Sequence, residues 1–422
     1  MAREGALRRE LGLAGVTVSG VGIILGAGIY ALLGEAAGLA GNAVWLSFGI
    51  AAVMAACTAL SYAELSSMFP SAAAEFEYVS QAFGQRIAFV AGWLILASGV
   101  LSTATVALGF GGYIAGATGL PVVPAALLLI AGLCALAIRG IRETALFAIA
   151  MTLIEAAGIV FVILIGLPAL GSVDYFTMPN GASGVFKGAA LVFFAFMGFE
   201  EMVKLAEETK NPEQTIPRAI LLALGIAVAL YMLVTVSAVS VLGWERLASS
   251  SAPFAEIAGA VLGENAFAVI TMVALFATAN TALLLLVAAS RLAYGMAAAG
   301  SLPSLLGRVH GRLGTPWVAV VAAGVISAGF LFAGNIAYVA NATNVALFLT
   351  FMTINAAAIV LRFRARDTVR PFRMPLSVFE IPLIPLLGIF FSVFLLAQLD
   401  PTVLTLGAVL VASGTVIACF RR

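Results

Sequence analysis

The chain has 422 residues, of which 63% are hydrophobic and 10% charged, with a formal net charge of +1. A water-soluble fold keeps a polar exterior and has nowhere to hide so much apolar surface, so lipid must be the solvent for most of the molecule. That excludes a soluble enzyme or a nucleic-acid-binding protein, and it makes the placement of the charges more telling than their sum.

At 1.5 Å per residue, roughly 20 apolar residues cross about 30 Å of hydrocarbon. Runs that meet this are predicted to be helices at 11–34, 43–66, 87–112, 121–138, 145–168, 185–205, 219–242, 266–299, 316–333, 337–361, 378–398 and 401–420. The fold class is therefore an all-α polytopic membrane protein of about twelve spans. No segment shows the period-two alternation of a barrel strand, and helices satisfy their own backbone groups, as lipid requires. The first run follows Arg3, Arg8 and Arg9. At about 24 residues it is too long for the apolar core of a leader peptide and shows no clear cleavage site, so it is read as a retained helix. The connections are too short for a soluble domain, which leaves 1–422 as one transmembrane unit. Cys57, Cys134 and Cys419 all lie in apolar runs without pairing or metal-ligand spacing, so no disulfide, metal or bound cofactor is expected beyond a coupling ion.

With the N-terminus in the cytoplasm, the inner loops hold Arg86, Arg139, Arg142, Lys204, Lys210, Arg218, Arg291, Arg308 and Arg312. They also hold the five arginines from Arg362 to Arg373 and, at the C-terminus, Arg421 and Arg422. Only Lys187 and Arg246 of the 21 basic residues then face outward. The positive-inside rule fixes this orientation, with both termini cytoplasmic in a multi-pass protein of the cell membrane.

Two spans depart from a plain apolar helix. The first carries Gly20, Gly22, Gly26 and Gly28 and reads Gly26-Ala27-Gly28-Ile29-Tyr30 near mid-membrane. The sixth reads from Phe193 through Phe194, Met197 and Gly198 into Glu200 and Glu201. Small residues also serve close helix packing, which is the plainer reading of the glycines taken alone. Interruptions five spans apart, on helices that start from opposite sides, are instead what an inverted five-helix repeat produces. That reading divides the chain into 1–170, 178–362 and two peripheral helices over 363–422.

Four further matches carry a family resemblance. The helix-one break resembles the Gly-Ser/Ala-Gly-Ile-Phe/Tyr motif of the amino acid–polyamine–organocation superfamily of secondary transporters. Tyr62-Ala63-Glu64-Leu65 with Phe69-Pro70 resembles the end of its second helix. Phe194 to Glu200 resembles its broken sixth helix, followed by Glu207-Glu208-Thr209-Lys210-Asn211-Pro212. Arg291 to Tyr294 with Gly300 to Pro303 resembles the end of the eighth. The resemblance spans essentially the whole chain and is of the cationic or neutral amino acid permease type. It implies a leucine-transporter-type fold of two inverted five-helix repeats plus two peripheral helices. One departure is Ala73-Ala74, where the family usually carries a Gly-Gly pair.

For an amino acid substrate, the carboxylate is expected at the N–H groups of Gly26, Ala27 and Gly28, where small residues let a ligand approach the backbone, with Ile29 a further substrate-binding candidate. The amine is expected at carbonyls near Phe194, Met197 and Gly198, with the Phe194 ring as an aromatic gate by resemblance. Ser98 and Thr103 of the third span are further contact candidates. Glu155 stands mid-way along the fifth span, where an ionised, unpaired carboxyl costs several kcal/mol, so it is a functional candidate by default. Relatives often carry a lysine at the matching place, substituting for a bound sodium ion. A carboxylate there instead recruits a proton, a sodium ion or the ammonium of a cationic substrate. Glu200, Asn280 and Thr281 complete the ion-coupling candidates. Glu201 and His310, the single histidine, read as solvated.

The expected function is ion-coupled (proton or sodium) or exchange transport of an amino acid by alternating access, with no catalytic residue and a monomer as the simplest state. A polyamine or other organic cation held by Glu155 and Glu200 is the main alternative. A channel would need a pore ring built by symmetry, and a membrane enzyme a His, Ser or Cys cluster that the sequence lacks.

Overall fold

The computed structural model describes residues 9–71, 74–139, 144–333, 335–378 and 381–420, and the side chains of these except at 144–151 and 420. Arg3, Arg8, Ala73, Arg142, Arg421 and Arg422, drawn on above, lie outside the described residues.

The first span is two helices, α1 (Leu13–Leu25) and α2 (Ala27–Ala40), separated at Gly26. After a short turn come α3 (Val44–Met68), the amphipathic α4 (Ala74–Phe83), α5 (Gln85–Thr118), α6 (Val122–Arg139) and α7 (Thr144–Gly166). The sixth span begins as α8 (Gly181–Val192) and then tightens into 3₁₀ turns over Phe193–Phe196 and Phe199–Glu208. There follow α9 (Pro212–Ser249), α10 (Pro253–Leu262), α11 (Glu264–Ala298), α12 (Trp317–Phe330), α13 (Ile336–Arg364), α14 (Leu383–Leu396) and α15 (Pro401–Phe420). The only sheet among the described residues is a two-stranded hairpin, β1 (Ser377–Val378) with β2 (Ile381–Pro382).

Among the described residues, nine helical stretches are long and apolar enough to cross a membrane. The first of them, Leu13–Met68, holds two passes, and the 14-residue helices α12 and α14 fill the places of two more. All the predicted spans are present. Their ends differ where local chemistry overrides hydropathy. Pro212 lets α9 start well before the apolar run, because proline at the first helical position has no N–H to satisfy. The hairpin delays α14 to Leu383. The helices α4 and α10 were not predicted, both being too short to register as spans and α4 also too polar. Glu75, Tyr78, Val79 and Ala82 give α4 one buried face, and burial pushes the Glu75 carboxyl up from its ordinary value, with Lys204 opposing.

The helices pack as two groups. The helices α1, α2, α3, α8 and α9 lie against one another, and α5 runs along α11 and α13 with α6 and α12 outside it. Buried amides join elements that are remote in sequence. Asn355 on α13 donates to Thr58 Oγ1 at 3.1 Å and accepts from Ser61 Oγ at 2.6 Å, both on α3. It is fully buried, and a side chain on Gly388 of α14 would meet its amide at 2.7 Å. Asn355→Leu leaves Ser61 and Thr58 facing an apolar group, which is expected to cost about 1–3 kcal/mol. A lowered thermal unfolding midpoint in detergent, with insertion into the membrane unchanged, is the expected result.

Candidate functional site

The first break forms because Gly26 leaves the helical region, with φ −10° and ψ −166°. The Gly26 N–H still reaches Gly22 O at 3.4 Å, and the Ala27 N–H donates to Thr281 Oγ1 on α11 at 3.2 Å. Two of the N–H groups expected to meet a substrate carboxylate are therefore engaged within the protein. Those of Gly28 and Ile29, in the first turn of α2, have no intrahelical acceptor, because no helix start supplies one. They lie at the positive end of the α2 dipole, a position that favours negative charge.

The second break is built differently. Phe193–Phe196 is one 3₁₀ turn whose Phe194 carbonyl accepts the Met197 N–H at 3.3 Å, which engages one of that oxygen's two lone pairs. Gly198 has φ +122°, a conformation closed to side-chain-bearing residues, and its N–H donates to Glu200 Oε2 at 2.8 Å. Glu200, 6% exposed, thus closes back on the break that precedes it. Glu201 pairs with Lys204 on the half-exposed side of the segment rather than standing solvated alone.

The two breaks touch. A Cβ on Gly28 would come within 2.7 Å of Ala195 Cα, and one on Gly198 within 2.9 Å of the Ile23 carbonyl carbon. Gly20 and Gly22 likewise admit the side chains of Met202 and Thr152. Close packing, the plainer reading of these glycines, therefore holds alongside the break. Tyr231 of α9, fully buried, joins the two segments: its hydroxyl lies 2.7 Å from Ile24 O and 2.9 Å from Ala195 O. Asn344 of α13 donates to Ala190 O at 2.7 Å and Leu191 O at 3.1 Å, where α8 ends. Sequence reasoning missed both residues. The signal was there, as a hydroxyl and an amide in otherwise apolar spans, but nothing local said what they faced.

Phe193, Phe196 and Phe199 engage other rings, namely Phe348 and Phe351, Phe48 and Tyr231, and Tyr62 and Phe351. Phe194 lies instead in an apolar cluster with Ala27, Ala282, Leu283, Leu286 and the partly buried Met197. The break of span one and the expected aromatic gate therefore share one cluster. Ser98 and Thr103 donate to carbonyls of their own helix, Ile95 O at 2.8 Å and Gly99 O at 2.9 Å, whereas Ser102 reaches Met197 Sδ at 3.4 Å. Of the third-span hydroxyls, Ser102 is the one tied to span six.

Glu155, 2% exposed on α7, sits behind the first break. Its backbone carbonyl accepts the Tyr30 hydroxyl at 2.7 Å, and the Asn280 side chain lies near its carboxyl. Its Oε1 is buried without a partner. Asn280 and Thr281 are consecutive on α11, so one helix turn touches both the Glu155 carboxyl and the Ala27 N–H. Among the described residues no group of His, Cys, Asp and Glu is arranged to hold a metal ion.

Two broken helices meeting inside a bundle of membrane-length helices, with a buried carboxyl at the junction, define a polytopic membrane protein of the transporter class. The chain belongs to the amino acid permease family, whose model matches residues 11–420. It is 33% identical to an uncharacterized transporter of Mycobacterium tuberculosis, over 99% of this chain and 92% of that one. It is 30% identical to a branched-chain amino acid permease of Bacillus subtilis, over 94% of this chain and 89% of the relative. A methylthioribose transporter of the same bacterium is 29% identical over 98% and 93%.

Two substitutions test this geometry. Gly28→Val places branched carbons against the Ala195 backbone, which has no side-chain freedom to yield. Uptake is expected to fall by about tenfold or more, the equivalent of at least about 1.4 kcal/mol, while surface expression persists. Tyr231→Phe removes the single hydroxyl proton shared by the Ile24 and Ala195 carbonyls and is expected to lower stability by about 1–3 kcal/mol, read as a lower thermal midpoint in detergent.

Proposed function

We propose that this protein carries a neutral amino acid with an apolar side chain across the cell membrane by alternating access, coupled to a cation at Glu155. The observation that carries the reading is the contact between the two breaks. The first-turn N–H groups of Gly28 and Ile29 suit a carboxylate, and beside them Ala27, Phe194, Met197 and Leu283 offer an apolar environment to a side chain. A branched-chain permease among the relatives agrees with that environment. Glu155 is the coupling group in this proposal, because a buried carboxyl oxygen without a partner is suited to take up and release a proton or to hold a small cation. Glu200, Asn280 and Thr281 support it, through the span-six break and through α11.

The architecture we propose is two inverted five-span halves, 1–170 and 178–362, with two peripheral helices over 363–422. The charge distribution favours cytoplasmic termini. The chain acts as a monomer in this reading.

A second reading has one observation in its favour. The unpartnered Glu155 oxygen would also suit the ammonium of a polyamine or another organic cation, and one relative transports a substrate, methylthioribose, that is not an amino acid. Uptake of labelled amino acids and diamines into proteoliposomes, under imposed proton or sodium gradients, separates the two. Saturable accumulation of an apolar amino acid supports the proposal, and uptake of diamines alone refutes it. Glu155→Gln is expected to abolish gradient-driven accumulation while substrate exchange stays measurable. Wild-type accumulation in that variant would remove Glu155 from coupling.

A further inference from the structure

At the end of α3 furthest from Gly41, Glu64 is 1% exposed and yet its carboxylate meets three partners. Arg362, on the last turn of α13, grips it with two nitrogens, Nε to Oε1 at 2.6 Å and Nη2 to Oε2. The Arg370 Nε stands 3.3 Å from Oε1, an ion pair in distance but not aligned as a hydrogen bond. The Met374 N–H donates to Oε2 at 2.9 Å. One turn along α3, Ser67 Oγ donates to Phe372 O at 3.2 Å and accepts from Phe372 N–H at 3.3 Å. Arg370 itself holds Leu361 O and Ala365 O, and Arg364 holds Ala82 O of α4 at 2.7 Å. One carboxylate on α3 therefore gathers the end of α13 and the segment 370–374 that follows it.

Two features set this cluster apart from a static brace. Two guanidinium groups share a single carboxylate, and Arg362 Nη1 is buried without a partner, so the site holds more positive charge than it neutralises. Burial pulls the Arg370 guanidinium down from its ordinary value, with Glu64 opposing and Arg362 adding to the effect. A buried ion pair with an unmet donor is a poor stabiliser, and the best-attested use of such pairs is to fix register or to switch. The cluster also lies between the two packing groups: α3 runs with α8 and α9, which carry or clamp the broken span, and α13 runs along α5.

We infer that Glu64, Arg362 and Arg370 form a latch that closes one end of α13 onto α3 and is released as the two helix groups separate during transport. This inference rests on the alternating-access reading above. Its residues lie apart from the candidate substrate and ion contacts, so the latch acts by positioning the two groups and not by touching substrate.

The test is a reversible cross-link. Ser67→Cys and Phe372→Cys are introduced together in a background with Cys57, Cys134 and Cys419 replaced, and the purified protein is reconstituted in proteoliposomes. Uptake by the reduced protein reads transport itself, and the difference on oxidation reads the latch. Loss of uptake when the disulfide forms, restored by reductant, is the expected result; undiminished uptake with the cross-link complete overturns the latch. Glu64→Gln gives an independent readout by hydrogen–deuterium exchange. Faster exchange across 361–378, with the broken spans unchanged, is expected, and wild-type exchange there counts against the inference.

Discussion

The whole arrangement depends on one constraint: backbone groups freed where a helix breaks inside a low-dielectric interior must find partners. Unsatisfied, each would cost several kcal/mol in a lipid-like environment. Here most of the partners come from elements far away in the chain, and one from two residues on. Thr281 takes the Ala27 N–H, Tyr231 stands on carbonyls of both breaks, Asn344 covers the end of α8, and Glu200 turns back on Gly198. What these residues leave open is a short row of donors at the start of α2, bordered by apolar side chains. The candidate site is thus what remains after the protein has satisfied its own backbone groups.

Glu155 belongs to the same logic. Its main chain is fixed by Tyr30, whose own carbonyl accepts the Tyr113 hydroxyl at 3.1 Å, so the helix that carries the carboxyl is tied to α2 and α5. Gly158 makes this possible, since a Cβ there would stand 2.6 Å from the Tyr30 hydroxyl. The main chain is held while the carboxyl keeps one oxygen without a partner, which is why the proposed coupling is placed there.

Much of the fold was legible in the sequence, because hydropathy over about 20 residues is a local property with a direct physical meaning. The breaks were legible too, since glycines in span one and the abrupt step from Phe199 to Glu200 and Glu201 are visible without any neighbour. Residue roles were less so. Ser98 and Thr103 read as contacts because they are polar in an apolar run, but their hydroxyls close onto their own helix, an option any serine or threonine in a helix has. Phe194, chosen by resemblance, does lie beside the first break, while its aromatic neighbours in the sequence pack elsewhere.

The sequence by itself determined how many times the chain can cross a membrane, where two helices break, and which family it belongs to. These depend on composition, spacing and short motifs. The tertiary structure decided which atoms meet: Ala27 with Thr281 across 254 positions, and Glu64 with Arg362 across 298. An apolar helix shows a similar composition on every side, so its rotation about its own axis is set by the neighbours it packs against and not by its own residues.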